Sequence, residues 1–293
     1  MSSGEDCWSR WLATRRFGGD EQVRQEMLAR LAERRDAVLD RAGPLEGRTL
    51  LDVGCGEGLI GFGALDRGAG TVVFSDVSEV LLVACREAAE ELGLPDRCRF
   101  VRAAADDLAP VADESVDVVT TRSVLIYVSD KRRAFEEFFR VLRPEGQVSL
   151  YEPINRFAAP QAPGRFCGYD LRSIGPIVAK LEALFDELQP SDSDPMLDFD
   201  ERDLVELCSA AGFLPVDLEL HAEIHAHEPR PWDAFVNTAG NPRIPTIAEA
   251  MDRALDPDER ERLTAELRPL VESGGGVWRM AHASLWATKP LRR

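Results

Sequence analysis

The stretch Leu50-Leu51-Asp52-Val53-Gly54-Cys55-Gly56-Glu57-Gly58-Leu59-Ile60-Gly61 constrains the fold more than any other. An apolar run breaks into alternating glycines and then resumes with apolar periodicity, which reads as strand, tight turn and helix. Bare backbone at Gly54 and Gly56 lets a ligand approach closely, because no Cβ fills the space. The spacing departs from the Gly-x-Gly-x-x-Gly pyrophosphate fingerprint: Gly58 comes one position early and Leu59 stands where the third glycine belongs. A dinucleotide is therefore disfavoured as the occupant of this turn.

Asp52 closes the strand, which should aim its carboxylate at the mouth of the turn, a place that suits a cationic amino group. Thr71-Val72-Val73-Phe74-Ser75-Asp76 reads as a second strand ending in an acid, followed by Val77. It lies about twenty residues past the glycines, the spacing at which a carboxylate accepts hydrogen bonds from ribose hydroxyls. A pocket so built prefers a nucleoside with a positive tail. Arg99–Ala103, Ser115–Thr120 and Gln147–Tyr151 read as three more strands, the last two flanking a helix over Lys131–Leu142 that ends at Arg143-Pro144-Glu145-Gly146. With helices to about Arg67 and over Ser78–Leu92, each stopped by a glycine, the alternation implies a parallel sheet with right-handed crossovers.

The Asp52-Val53-Gly54-Cys55-Gly56-Glu57-Gly58 turn, the acid Asp76, the Asp117-Val118-Val119 strand and the Leu142-Arg143-Pro144-Glu145-Gly146 turn together resemble the class I, Rossmann-like S-adenosylmethionine-dependent methyltransferases. The resemblance covers Leu45 to Asn155. It implies a doubly wound α/β fold with a seven-stranded, mostly parallel sheet whose last strand is antiparallel, and a donor, S-adenosylmethionine, lying across the carboxyl ends of the first strands. In this family an acid two positions before Asp106 often holds the adenine amino group, and here that position is Ala104. Either Asp106 substitutes, with the Ala105 N–H serving the ring, or Asp106 caps a helix.

Composition bounds the rest. A formal charge of −17 over 293 residues opposes a large nucleic-acid footprint, which needs clustered Lys and Arg. Cys7, Cys55, Cys85, Cys98, Cys167 and Cys208 are scattered without metal spacing, so free thiols and a cytoplasmic location are expected, with no metal and no membrane partner. Residues 1–44 form a helical cap whose amphipathic part places Val23, Met27, Leu28, Leu31, Val38 and Leu39 on one side. The core occupies 45–155. Breakers at Pro160, Pro163, Gly164, Gly168, Gly175, Pro176 and Pro190 mark 156–199 as a lid insertion, with a helix over Ile177–Leu188. The core resumes over 200–293 with a helix capped by Asp200, and a second helical insertion spans about 228–276. Val216–His227 alternates cleanly and reads as a half-buried edge strand, and Val277–Thr288 as the closing strand.

Few catalytic residues are needed, because a sulfonium methyl is already activated and transfer depends chiefly on alignment. His227, near the carboxyl end of the edge strand, is the first candidate for taking a proton from the acceptor. His221 and His225 share its face with Glu223, which suggests either a metal site or a solvated edge. Glu152, past the fifth strand, is a general base, an anchor for a cationic substrate, or a carboxylate capping a neighbouring loop. Tyr127 walls the acceptor pocket or is a buried structural phenol. Thr121 and Arg122 close the fourth strand and should contact the methionine end of the donor, where Arg15 or Arg16 from the N-terminal segment can clamp the carboxylate. Cys55 is either a small side chain fitted to the turn or a reactive thiol. Arg165–Asp170 reads the acceptor or pins the lid. The resulting expectation is methyl transfer to O, N or C of a small molecule, by a chain that could form a homodimer. Non-methyl chemistry on the same donor (cyclisation or aminocarboxypropyl transfer) and a nicotinamide-dependent oxidoreductase are the alternatives.

Overall fold

The computed structural model describes residues 6–158, 164–190 and 192–291, without the side chains of Met27 and Leu28; Pro160 and Pro163 lie outside the described residues. The chain opens with α1 (Cys7–Arg10), which runs straight into a π-helical turn over Trp11–Arg15, and then α2 (Glu21–Arg41). The alternating core follows as β1 (Thr49–Val53), α3 (Leu59–Asp66), β2 (Thr71–Asp76), α4 (Glu79–Glu91), β3 (Cys98–Arg102), β4 (Val116–Arg122), α5 (Lys131–Val141) and β5 (Leu142–Pro153). Apolar strand residues such as Leu50, Leu51, Val118 and Val119 are fully buried, as a parallel sheet covered on both faces requires.

After β5 come a short hairpin of β6 (Arg165–Phe166) and β7 (Tyr169–Asp170), then α6 (Gly175–Leu188), α7 (Glu201–Ala210), β8 (Val216–Ala226), α8 (Trp232–Val236), α9 (Ile247–Ala254), α10 (Pro257–Ser273) and β9 (Val277–Thr288). The sheet order is β3-β2-β1-β4-β5-β9-β8, and β9 runs antiparallel to both β5 and β8. The antiparallel strand is thus slotted between two others, and β8 is the edge. Arg143–Gly146 loops out of β5: Leu142 pairs with Val116 and Gln147 with Val118, so the excursion costs the partner strand a single residue. Asp200 caps α7 in a reciprocal capping box with Asp203.

One expectation changes. The apolar face of β8 is not buried along its length: Val216 and Leu218 pack on the core cluster, but Leu220 is 46% exposed and Ile224 58%. The two insertions fold together. Phe166, Tyr169, Val178, Leu181, Phe235, Met251, Leu263, Leu267 and Val271 share one apolar cluster, separate from the two clusters that sandwich the sheet. Among the described residues no helix is long and apolar enough to cross a membrane.

Candidate functional site

The carboxyl ends of β1, β2, β4 and β5 converge where the glycine turn leaves the sheet. Gly54 has φ +65°, and a Cβ there would meet Val124 Cγ2 at 2.3 Å, so the left-handed turn and the next loop interlock. Gly56, at φ +54°, differs: a Cβ would meet nothing nearer than Leu12 Cδ1 at 3.9 Å. The turn therefore presents open space on its ligand side.

Asp76 is buried and holds this geometry. Its two oxygens accept from the Gly56 and Ser78 N–H groups, each at 2.9 Å. Burial raises its pKa, those two N–H groups oppose the rise, and Asp6 adds to it. Val77 follows and is exposed. Asp52 departs from expectation. Its carboxyl faces inward, accepting from Gly61 N–H at 3.0 Å and from the Thr120 hydroxyl at 3.3 Å, because a buried carboxyl needs donors and the start of α3 supplies one. Complete burial pushes it up to about 7. Ala105 is buried, with Asp106 half-buried beside it in a turn closed by Asp107 N–H on the Ala104 carbonyl. No helix starts there for Asp106 to cap.

The N-terminal segment roofs the turn. Asp6 caps α1 and hydrogen-bonds Ser78, Trp8 meets Tyr127 edge-on at 4.8 Å, and Leu12 sits over Gly56. Arg16 lies 5.3 Å from the rings of both Trp11 and Phe17, within electrostatic range of Arg122, Glu57 and Tyr127. Desolvation, with Arg122 next, lowers its pKa to about 10. Arg15 does not join it: it pairs with Glu249 of α9 at 2.5 Å. Trp11 Nε1 donates to the Ala239 carbonyl and Ala239 N–H to Arg15, tying the roof to the helical lid. A cavity of about 320 Å³ opens between Leu12, Phe17, Arg24 and Glu57 at the edge of the roof.

On the far side, Thr121 is fully buried and its hydroxyl has no hydrogen-bond partner among the described residues. Arg122, half-buried beside it, has its pKa lowered by desolvation and by Arg34. Glu152 is fully buried and accepts from Val124 N–H at 3.0 Å and Ile126 N–H at 3.4 Å, so it caps the loop after β4. Burial raises it to about 7. Tyr127, within electrostatic range of Arg16, Glu152 and Arg122, is pushed by burial to about 12, a neutral phenol at any physiological pH. The cradle thus fits the adenosyl donor: clearance at Gly56, a carboxylate at Asp76, and at the opposite end an unpaired hydroxyl and two guanidiniums.

His227 is not brought to this group. Its Nε2 is 3.0 Å from the Cys167 carbonyl, its ring stacks on Tyr169 at 4.7 Å, and Trp278 closes it off. Strand β8 ends before it, so it turns into the lid rather than over the sheet. Burial lowers its pKa. The Arg165–Asp170 segment pins the lid, with Phe166 and Tyr169 in its apolar cluster. Glu223 binds His221 at 2.6 Å and approaches His225, but among the described residues no group of three could hold a metal ion. Cys55 is buried, and its neighbour Cys85 together with burial raises its pKa, so the thiol stays protonated and unreactive.

Sequence reasoning passed over Arg34 and His282. Arg34 lies over the Tyr151 ring at 5.5 Å. The His282 ring lies tilted against Tyr151 at 4.6 Å, its Nδ1 buried without a hydrogen-bond partner among the described residues, and burial, with His221 and Arg34, pushes it down to about 4. The available signal was parity: His282 alternates with Ala281 and Ala283, so it faces the opposite side of β9.

Residues 51–150 match the family model of a methyltransferase domain. The chain is 36% identical over 115 residues to a tRNA 5-carboxymethoxyuridine methyltransferase of Escherichia coli (strain K12), a match covering 39% of this chain and 43% of that protein. It is 35% identical over 144 residues to a ubiquinone/menaquinone biosynthesis C-methyltransferase of Roseobacter denitrificans, covering 49% and 56%. The chain thus spans about half the length of the relatives it matches. A geranyl diphosphate methyltransferase solved with S-adenosylmethionine superimposes with a TM-score of 0.54 at 18% identity, over 92% of each chain, a likeness of fold.

Proposed function

We propose that this chain, whose core is a class I S-adenosylmethionine-dependent methyltransferase domain, methylates an O, N or C atom of a small molecule held beneath its N-terminal roof. The donor supplies a sulfonium methyl already activated for in-line displacement. Everything else falls to the protein. Asp76 is placed to accept from ribose hydroxyls with the lone pairs its two backbone bonds leave free, Val77 and Ala105 flank the base, and Arg16 and Arg122 are placed for the carboxylate. Asp52 contributes at one remove by fixing the start of α3, hence the turn. Tyr127 and Trp8 wall the acceptor side and exclude water. With Tyr127 neutral, Glu152 engaged by backbone and His227 in the lid, alignment rather than a dedicated base carries the reaction.

The observation that carries this reading is the roof: residues 6–17 cover the turn and are tied to the lid, which suits an enclosed acceptor better than an open groove. The E. coli relative is named for a tRNA substrate, but a charge of −17 here opposes a phosphate-rich partner. The test is calorimetry with S-adenosylmethionine, S-adenosylhomocysteine and NAD, followed by S-adenosylhomocysteine release from a metabolite panel and from total tRNA. Binding of the first two compounds and turnover with metabolites alone is expected. Affinity for NAD only, or turnover with tRNA alone, would overturn the assignment.

A further inference from the structure

The half-buried cations at this site, Arg16, Arg34 and Arg122, exceed what one donor carboxylate can neutralise. Arg122 ends β4 in register with Tyr151 of β5, so the two side chains rise on one face of the sheet. Arg34 descends onto Tyr151 from α2, and Arg16 comes from the roof. The three guanidiniums lie within electrostatic range of one another. Several arginines elsewhere are closely paired: Arg15 with Glu249, Arg140 with Glu137, Arg143 with Asp117. Among the described residues, none of Arg16, Arg34 and Arg122 has a carboxylate within ion-pair distance. The acids that reach Arg122 electrostatically, Asp52 and Glu152, are engaged by Gly61, Thr120, Val124 and Ile126, and burial raises the pKa of both. Glu223, on the β8 side, is bound to His221.

Like charges brought together in a desolvated place are costly unless a ligand neutralises them. The donor brings one carboxylate, which accounts for Arg16 and Arg122 as a clamp. Arg34 is left over, above Tyr151 and beside the unpartnered Nδ1 of His282. We propose that the methyl acceptor is itself an anion, a small molecule whose carboxylate or phosphate group is received by Arg34 over the Tyr151–His282 floor. This rests on the methyltransferase reading above and narrows its substrate class.

The test uses the full chain saturated with S-adenosylhomocysteine and titrated by calorimetry with benzoate, with inorganic phosphate, and with benzamide as the neutral control. At least one anion should bind, with benzamide at least about tenfold weaker than benzoate if the site takes carboxylates. The two anion arms distinguish the carboxylate from the phosphate. Arg34→Gln should weaken the bound anion by about tenfold or more, Arg34→Lys should recover part of that, and affinity for S-adenosylmethionine should change less than about threefold in both. Arg34 is half-buried on a helix surface, so both variants are expected to keep the parent's melting profile. Binding of neither anion, benzamide binding as well as benzoate with no phosphate affinity, indifference of the anion to Arg34→Gln, or an equal loss of donor affinity in that variant would each overturn the proposal. Absence of S-adenosylmethionine binding by the unaltered chain would instead remove the parent reading, a separate result.

Discussion

The two halves of the site treat their polar groups in opposite ways. At the glycine turn, Asp52 and Asp76 are engaged by the protein's own donors: Gly61 and Thr120 for one, Gly56 and Ser78 for the other. At the far end of that cradle and on the acceptor side beyond it, the Thr121 hydroxyl and His282 Nδ1 have no hydrogen-bond partner, and the guanidiniums of Arg16, Arg34 and Arg122 no ion pair, among the described residues. The first half is built before any ligand arrives, so the binding free energy is not consumed in ordering the loop. On the proposed reading the second half is completed by ligand charge. One difference in hydrogen bonding thus separates a generic cradle from a selective pocket.

The sharpest way to break this contrast is at the two glycines. Gly54→Ala collides with Val124 as well as straining a left-handed residue, and should cost about 3 kcal/mol of stability together with measurable donor binding, read by thermal melting and calorimetry. Gly56→Ala should cost only about 1 kcal/mol of strain in the free protein yet lose donor affinity just as fully, because its Cβ enters the ligand's space. Equal stability losses, or normal donor affinity in Gly56→Ala, would show that the turn is structural rather than a cradle.

Next in size is Asp76→Ala, which removes both the loop anchor and the ribose acceptor and should weaken S-adenosylmethionine about a hundredfold by calorimetry. Asp76→Asn should lose less, since its amide oxygen can still accept one backbone bond.

The buried carboxyls offer a pH test of the saturated half. Asp52 and Glu152 are raised to about 7 from ordinary values of 3.8 and 4.5, so the fold favours their protonated forms. Their contribution is complete below the ordinary values and is lost as pH rises toward 7, by up to about 1.4 kcal/mol per pH unit for each group. Denaturant melts should therefore show stability falling between pH 5 and pH 7 (about the window these shifts define), and Asp52→Asn should flatten that slope. An unchanged slope would mean that Asp52 is ionised in the fold.

The smallest expected effect is at His227. His227→Asn should leave the pH profile of turnover unchanged and lower stability by about 1 kcal/mol through lost stacking on Tyr169. A turnover profile that loses a limb near neutral pH would restore His227 to the chemistry and extend the site into the lid.

Legibility follows the range of the interactions. The strand-turn-helix at Leu50–Gly61, the helix after β2, the cap at Asp200 and the closing strand Val277–Thr288 all read correctly, because periodicity, glycine and capping side chains act within a few residues. What failed was long-range. Asp52 was expected to face the ligand, and only the packing of α3 on β1 turned its carboxyl inward. His227 and Arg15 carry the right chemistry, but the lid claimed both, through Cys167 and through Glu249. Arg34 looked like one charge among many on α2 until the helix was laid across Tyr151.

By itself the sequence determined the class of fold, the glycine turn and the acid that ends the next strand, since these depend on backbone freedom and on the alternation of apolar residues along one segment. Only the tertiary structure decided which charges are neutralised and which are left waiting, because that balance is struck between side chains far apart in the chain and depends on burial, which no local pattern encodes.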